Sequence, residues 1–206
     1  MKRQIIAMGG GGFSMEPENP LLDNYILEQS DKTKPNICFI PTASGDSEGY
    51  ITRFYNAFKN KNCNTSHLSL FKCHTNKIEE FIINQDILYV GGGNTRNLLV
   101  LWKEWNLDNI IKKAYDNGVI LSGLSAGSIC WFEEGLSDSI SNGLNKLNCL
   151  GFLQGSNCPH FDGEEKRQPS YKSKIANKEM KDGYACDDGV GLHFINESLF
   201  KTISSR

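Results

Sequence analysis

Val119-Ile120-Leu121-Ser122-Gly123-Leu124-Ser125-Ala126-Gly127 sets an apolar run directly against a G-x-S-x-G pentapeptide, with a segment able to continue as helix beyond it. A strand that turns straight into a helix needs a very tight bend. Glycines two residues either side of Ser125 let the chain make it and leave the hydroxyl protruding rather than packed. That is how a nucleophile elbow is built. A serine so placed has the free N–H of Ala126 and the positive end of the following helix beside it. The same pentapeptide also fits a Gly-rich βα turn with an incidental serine, so the rest of the chain has to decide.

At 206 residues, 39% of them hydrophobic and 10% aromatic, the chain can bury one sizeable core and reads as a single domain over residues 1–206. A formal net charge of −2, with Lys and Arg scattered, offers no basic stripe for a nucleic-acid backbone or an anionic membrane. The apolar run Ile5–Met8 stops at glycines, too short for a signal-peptide core. No stretch approaches the roughly 18 apolar residues of a membrane span. A cytoplasmic protein is expected. The seven cysteines form no C-x-x-C pair and have no His partner at metal spacing, which points to reduced, mostly buried thiols and to no metal site.

Around the elbow, strand and helix signals alternate. Gln4–Met8, Asn36–Ile40 and Asp86–Val90 are continuous apolar runs, and Thr65–Phe71 alternates as an edge strand would. Helices are expected over Leu21–Gln29, through Ile51, Phe54, Tyr55 and Phe58, through Leu98, Leu99, Trp102 and Trp105 behind an Asn94 or Thr95 cap, and over Asp108–Asn117. The expected fold is α/β: a mostly parallel central sheet with helices on both faces, its ligands bound at the carboxyl ends of the strands. Gly9–Ser14 and Gly91–Asn94 both follow strands, yet both lack the sixth-position glycine of a dinucleotide fingerprint, and no cofactor is expected. Three glycines at 91–93 fit a tight βα turn and equally a backbone that approaches a ligand closely. The elbow helix is expected to run on through Ile129-Cys130-Trp131-Phe132 to Gly135. His67 and His74 read as solvated or locally bonded, and His193 as packed in the core or at a sheet edge.

Beyond that helix come Leu136-Ser137-Asp138-Ser139 and, later, Asn157-Cys158-Pro159-His160-Phe161-Asp162. Serine, acid, histidine is the chain order of α/β-type serine hydrolases. With Val90-Gly91-Gly92-Gly93-Asn94-Thr95, Leu124-Ser125-Ala126-Gly127 and Pro159-His160-Phe161 in hand, the sequence resembles the peptidase E family. These are aspartyl dipeptidases related to cyanophycinase, with a class I glutamine amidotransferase-like fold carrying Ser in place of Cys. The resemblance implies Ser125 as nucleophile, His160 as general base, and the N–H groups of Gly93 and Ala126 as oxyanion hole. It implies Asp138 as the acid that orients the histidine, with Glu133 and Glu134 as competitors because the cyanophycinase branch uses Glu. Asn94 and Arg167 are the candidates for contacting substrate. The stretch after His160 is shorter than in the aspartyl dipeptidases.

The expected function is a serine peptidase that hydrolyses small peptides, dipeptides with N-terminal Asp among them, through an acyl-enzyme. An esterase or amidase with the same triad, a non-catalytic small-molecule-binding domain, and a thiol nucleophile at Cys130 or Cys158 are the alternatives. The expected partner is a small peptide, with neither nucleic acid nor membrane, and a homodimer is compatible with the reading.

Overall fold

The computed structural model describes residues 2–140 and 143–206. In chain order the strands are β1 (Gln4–Met8), β2 (Asn36–Ile40), β3 (Asn64–His67), β4 (Ile87–Val90), β5 (Ile120–Leu124), β6 (Phe132–Ser137), β7 (Asn145–Asn148), β8 (Leu153–Cys158), β9 (Gly183–Ala185), β10 (Val190–Ile195) and β11 (Ser198–Ser204). The helices are α1 (Gly12–Met15), α2 (Leu21–Glu28), α3 (Glu48–Phe58), α4 (Ile78–Ile83), α5 (Thr95–Glu104), α6 (Leu107–Asp116), α7 (Ala126–Ile129) and α8 (Arg167–Ala176).

The main sheet has the order β11-β10-β1-β5-β4-β2-β3. The five strands from β1 to β3 run parallel, and the hairpin of β10 and β11 adds to β1 antiparallel. The parallel strands β1, β4 and β5 are wholly buried and β2 almost so, because both faces of the sheet are covered. Alternation along each strand then divides one apolar run between two cores. Ile5, Ala7, Cys38, Ile40, Leu88, Val90 and Leu121 meet Leu98 and Trp102 of α5 and Ile111 and Tyr115 of α6. Ile6, Met8, Ile37, Phe39, Ile87 and Tyr89 meet Phe13, Leu22 and Ile26 and, from α3, Tyr50, Phe54 and Phe58. Phe13 lies at the centre of an aromatic cluster, with ring centroids 5.3–6.1 Å from those of Tyr89, Phe39, Tyr50, Phe54 and Phe58.

The chain after the elbow departs from expectation. The helix does not reach Gly135: α7 stops at Ile129, and Phe132–Ser137 is a strand. It enters a second sheet of order β7-β6-β8-β9, with β6 parallel to β8 and antiparallel to β7. Pairing and packing override the local helical reading here. Trp131 N–H still closes the last turn on Ser128 O, but its C=O leaves the helical path and accepts from Leu153 N–H at 2.8 Å, and Phe132 packs on Phe194 and Tyr184. Gly135 is needed in the strand because a Cβ there would lie 2.1 Å from Ile129 Cγ2.

Candidate active site

The two sheets each bring half of the site. At the end of β5, Ser125 has φ 54° and ψ −114°, a backbone that side chains rarely adopt. Its flanking glycines are steric necessities. A Cβ on Gly123 would lie 2.4 Å from Gly127 O, and one on Gly127 would lie 2.3 Å from Val90 O. The turn is held from outside by Ser125 N–H donating to Met8 O at 3.1 Å and from inside by Ser128 and Ile129 N–H donating to Ser125 O. Ser125 itself is half-buried. Among the described residues its Oγ has no hydrogen-bond partner, and Ala126 N–H, in the first turn of α7, has no backbone or side-chain acceptor.

The turn after β4 closes over the serine. A Cβ on Gly92 would lie 3.3 Å from Ser125 Cβ and 3.7 Å from its Oγ, while Gly92 N–H donates to Tyr50 Oη at 3.3 Å. Gly93 has φ 137°, and a Cβ there would lie 2.2 Å from Ala43 O, so only glycine fits. Among the described residues Gly93 N–H, like that of Ala126, is left without an acceptor. Asn94 is committed to the fold: its Oδ1 accepts from Asn97 N–H at 2.8 Å as the cap of α5, and its Nδ2 donates to Ser139 O.

The second sheet supplies the histidine. Leaving β8, the chain reaches His160 at φ 50°. Asn157, fully buried on that strand, ties it to the elbow by accepting from Ser128 Oγ at 3.1 Å. His160 Nδ1 lies 2.6 Å from Asp188 Oδ1, and both side chains are 13% exposed. An ionised carboxylate can only accept, so Nδ1 carries the hydrogen, and in the neutral ring it is Nε2 that holds the lone pair. Asp188 sits between β9 and β10 and bridges Gly10 at the end of β1. A Cβ on Gly10 would lie 2.1 Å from Asp188 Oδ1 and 2.9 Å from His160 Cε1. The first glycine run, which lacks the sixth-position glycine of a dinucleotide fingerprint, is thus the bare floor on which the His–Asp pair rests. It also joins the two halves, because the same β1 end holds Ser125 through Met8 O.

Asp138 is not at His160. Its carboxylate is 67% exposed and lies 3.9 Å from Arg167 Nη2. The reason is the path of β6, which carries Asp138 toward α8. Arg167, expected to contact substrate, has a side chain only 3% exposed; Nε donates to Glu164 at 2.6 Å and Nη1 to Leu136 O at 2.9 Å. Glu133 and Glu134 are equally committed elsewhere, Glu133 to Gly155 N–H and Lys181 Nζ, Glu134 to Lys181 N–H and Lys146 Nζ. Sequence reading missed Asp188. Its signal was Asp187-Asp188-Gly189, a turn opening the strand of His193, downstream of the histidine rather than upstream.

Burial pushes the Cys158 thiol up to about 12 and the Cys130 thiol well above its ordinary range, so both stay protonated and unreactive. Among the described residues no group of three or more His, Cys, Asp or Glu side chains could hold a metal ion. No helix among them is long and apolar enough to cross a membrane.

The family model described as peptidase family S51 matches residues 5–202. The chain is 61% identical over 204 residues to an uncharacterized peptidase YgaJ of Bacillus subtilis (strain 168), covering 99% of this chain and 88% of that one. It is 30% identical over 200 residues to a peptidase E of Haemophilus influenzae (strain PittGG), covering 89% and 80%. A crystal structure of a putative peptidase E protein from Listeria monocytogenes EGD-e superposes with a TM-score of 0.72 at 18% identity, covering 99% of both chains, and so shares the fold.

Proposed function

The chain belongs to peptidase family S51, a family of serine peptidases, and from that premise we propose that it hydrolyses small peptides through an acyl-enzyme on Ser125. In this reading His160 Nε2 takes the Ser125 proton as Oγ attacks the scissile carbonyl, and the tetrahedral oxyanion is held by the N–H groups of Gly93 and Ala126. His160 then gives the proton to the leaving amine, the C–N bond breaks, and a water activated by the same imidazole releases the acid. Asp188 keeps the imidazole in the right tautomer and stabilises its charged form.

The observation that carries the reading is the 2.6 Å His160–Asp188 pair, packed on the same β1 end that holds the strained Ser125 turn. Two free N–H groups beside that serine are what an oxyanion needs. Arg167, buried and already bonded to Glu164 and Leu136 O, is not placed to bind the carboxylate of an N-terminal Asp. The free thiols of all seven cysteines suit a reducing, cytoplasmic setting.

A fluorophosphonate and a dipeptide panel including Asp-X members test this together. Wild-type enzyme should be labelled on Ser125 and should cleave members of the panel, and Ser125→Ala should lose both while keeping its thermal transition. Unlabelled Ser125, or turnover surviving in Ser125→Ala, would sink the proposal. Hydrolysis of esters alone would move the substrate class.

A further inference from the structure

Asp188, in the turn between β9 and β10, is held by more than its bridge to Gly10. Its N–H donates to Asp162 Oδ1 at 2.8 Å, and Asp162 Oδ2 in turn accepts from Arg206 Nη1. On the other side of the same turn, Ser205 N–H donates to Gly189 O at 2.8 Å, and Ser205 Oγ lies 2.8 Å from Glu16 Oε2. Gly189 has φ 73°, and a Cβ there would lie 2.7 Å from Ser205 Oγ, so the segment after β11 is laid directly across the turn. Asn19 Nδ2 fastens that segment by donating to Ser205 O at 2.9 Å.

We propose that Asp162 is a positioning residue for the reaction, and that Arg206 and Ser205 form with it a strap that fixes the Asp188 turn and through it the orientation of His160. The strap rests on the reading of Ser125, His160 and Asp188 as a working triad.

Two physical points argue for a strap rather than incidental surface contacts. The turn from Asp187 to Gly189 is tied to the sheet at its Gly189 end, where Gly189 N–H donates to Gly10 O at 3.2 Å, whereas the Asp188 N–H has Asp162 as its acceptor among the described residues and loses it without that carboxylate. The charges are also linked: Arg206 pairs with Asp162, and Asp188 and Glu16 add to the negative surroundings of its guanidinium. The Asp188 N–H and the Arg206 guanidinium hold the Asp162 carboxyl below the usual carboxylate range, so it stays an acceptor. Misplacement of a catalytic group by about 1 Å costs on the order of 100-fold. Loss of the strap should therefore show in the chemistry.

The test compares Asp162→Ala, Asp162→Asn, Arg206→Gln and Asp188→Asn with wild type. It reads the second-order rate of Ser125 labelling by a fluorophosphonate and the downfield proton resonance of the His160 Nδ1–H. Asp162→Ala should label roughly 10- to 100-fold more slowly, with that resonance broadened or moved. Asp162→Asn keeps an acceptor for the Asp188 N–H and should recover most of the rate. Arg206→Gln should show a smaller loss and a smaller change of the resonance. If Asp162→Ala folds and matches wild type in both readouts while Asp188→Asn is slow, the strap is overturned and the triad stands. If Asp188→Asn also labels at the wild-type rate, the triad reading falls and takes the strap with it. Should Asp162→Ala not fold, Arg206→Gln decides, and wild-type rate and resonance in that variant overturn the strap.

Discussion

An orienting carboxylate acts through its charge as much as its shape, because the imidazolium formed during attack needs a negative neighbour. Asp188→Asn keeps the shape and removes the charge. Its kcat/KM on a dipeptide cleaved by wild type should fall toward the roughly 10⁴-fold loss known for the equivalent change in the serine protease triad. Asp138→Asn, at an exposed side chain 3.9 Å from Arg167, should stay within about twofold by the usual tolerance of surface sites. Equal losses in the two variants would contradict the assignment. The difference also shows what a chain can tell at this scale. Ser125 and His160 could be named as candidates from the sequence because each lies in a short motif whose local geometry suggests a role. Asp188 could not, because an Asp-Asp-Gly turn is ordinary in itself. It meets His160 only after β9 has paired with β8 and β10 with β1. Those pairings span the chain and leave no local pattern.

The turn after β4 is the element on which the proposed oxyanion site depends. Gly93→Ala places a methyl 2.2 Å from Ala43 O at a φ of 137°, so the turn must move and carry the N–H away. Turnover should drop by about 10²–10³, the cost of one oxyanion donor, with about 1–3 kcal/mol lost from stability for the strained backbone. Steady-state kcat and urea unfolding read the two effects. An unchanged kcat would show that Gly93 N–H does not serve the reaction. Most elements were readable because buried parallel strands are continuous apolar runs and the helices packed on them carry apolar residues at three- and four-residue spacing. The second sheet was not. Cys130-Trp131-Phe132 looks like a buried helical face until β7 and β8 offer it partners, and Glu133 and Glu134 look like a solvated helix end until Gly155, Lys146 and Lys181 bind them.

Across the whole molecule, two buried titratable groups hold α2 to the main sheet, and their contributions to stability run in opposite directions with pH. Asp23 is 2% exposed and receives the Tyr89 hydroxyl at 3.1 Å; burial pushes its carboxyl up to about 6 from 3.8. His193 is 0% exposed, with Nδ1 2.8 Å from Tyr25 Oη and Nε2 3.1 Å from Gln4 Oε1. Burial, followed by the charges of Lys2 and Lys201, lowers it to about 4 from 6.5. Between pH 4 and 6 the folded Asp23 keeps a proton that the unfolded chain has released, so this group makes stability fall as pH rises. Between pH 6.5 and 4 the unfolded His193 takes up a proton that the folded one refuses, so this group makes stability fall as pH drops. Each amounts to about 3 kcal/mol across its window, and in wild type the two nearly offset each other. Single variants should unmask the slopes. In urea unfolding from pH 4 to 7, Asp23→Asn should lose stability on acidification more steeply than wild type. His193→Gln should lose it as the pH rises from 4 to 6, and the double variant should return to the wild-type slope. Profiles that stay parallel to wild type and differ only by a constant offset would mean that neither group titrates abnormally in the folded chain.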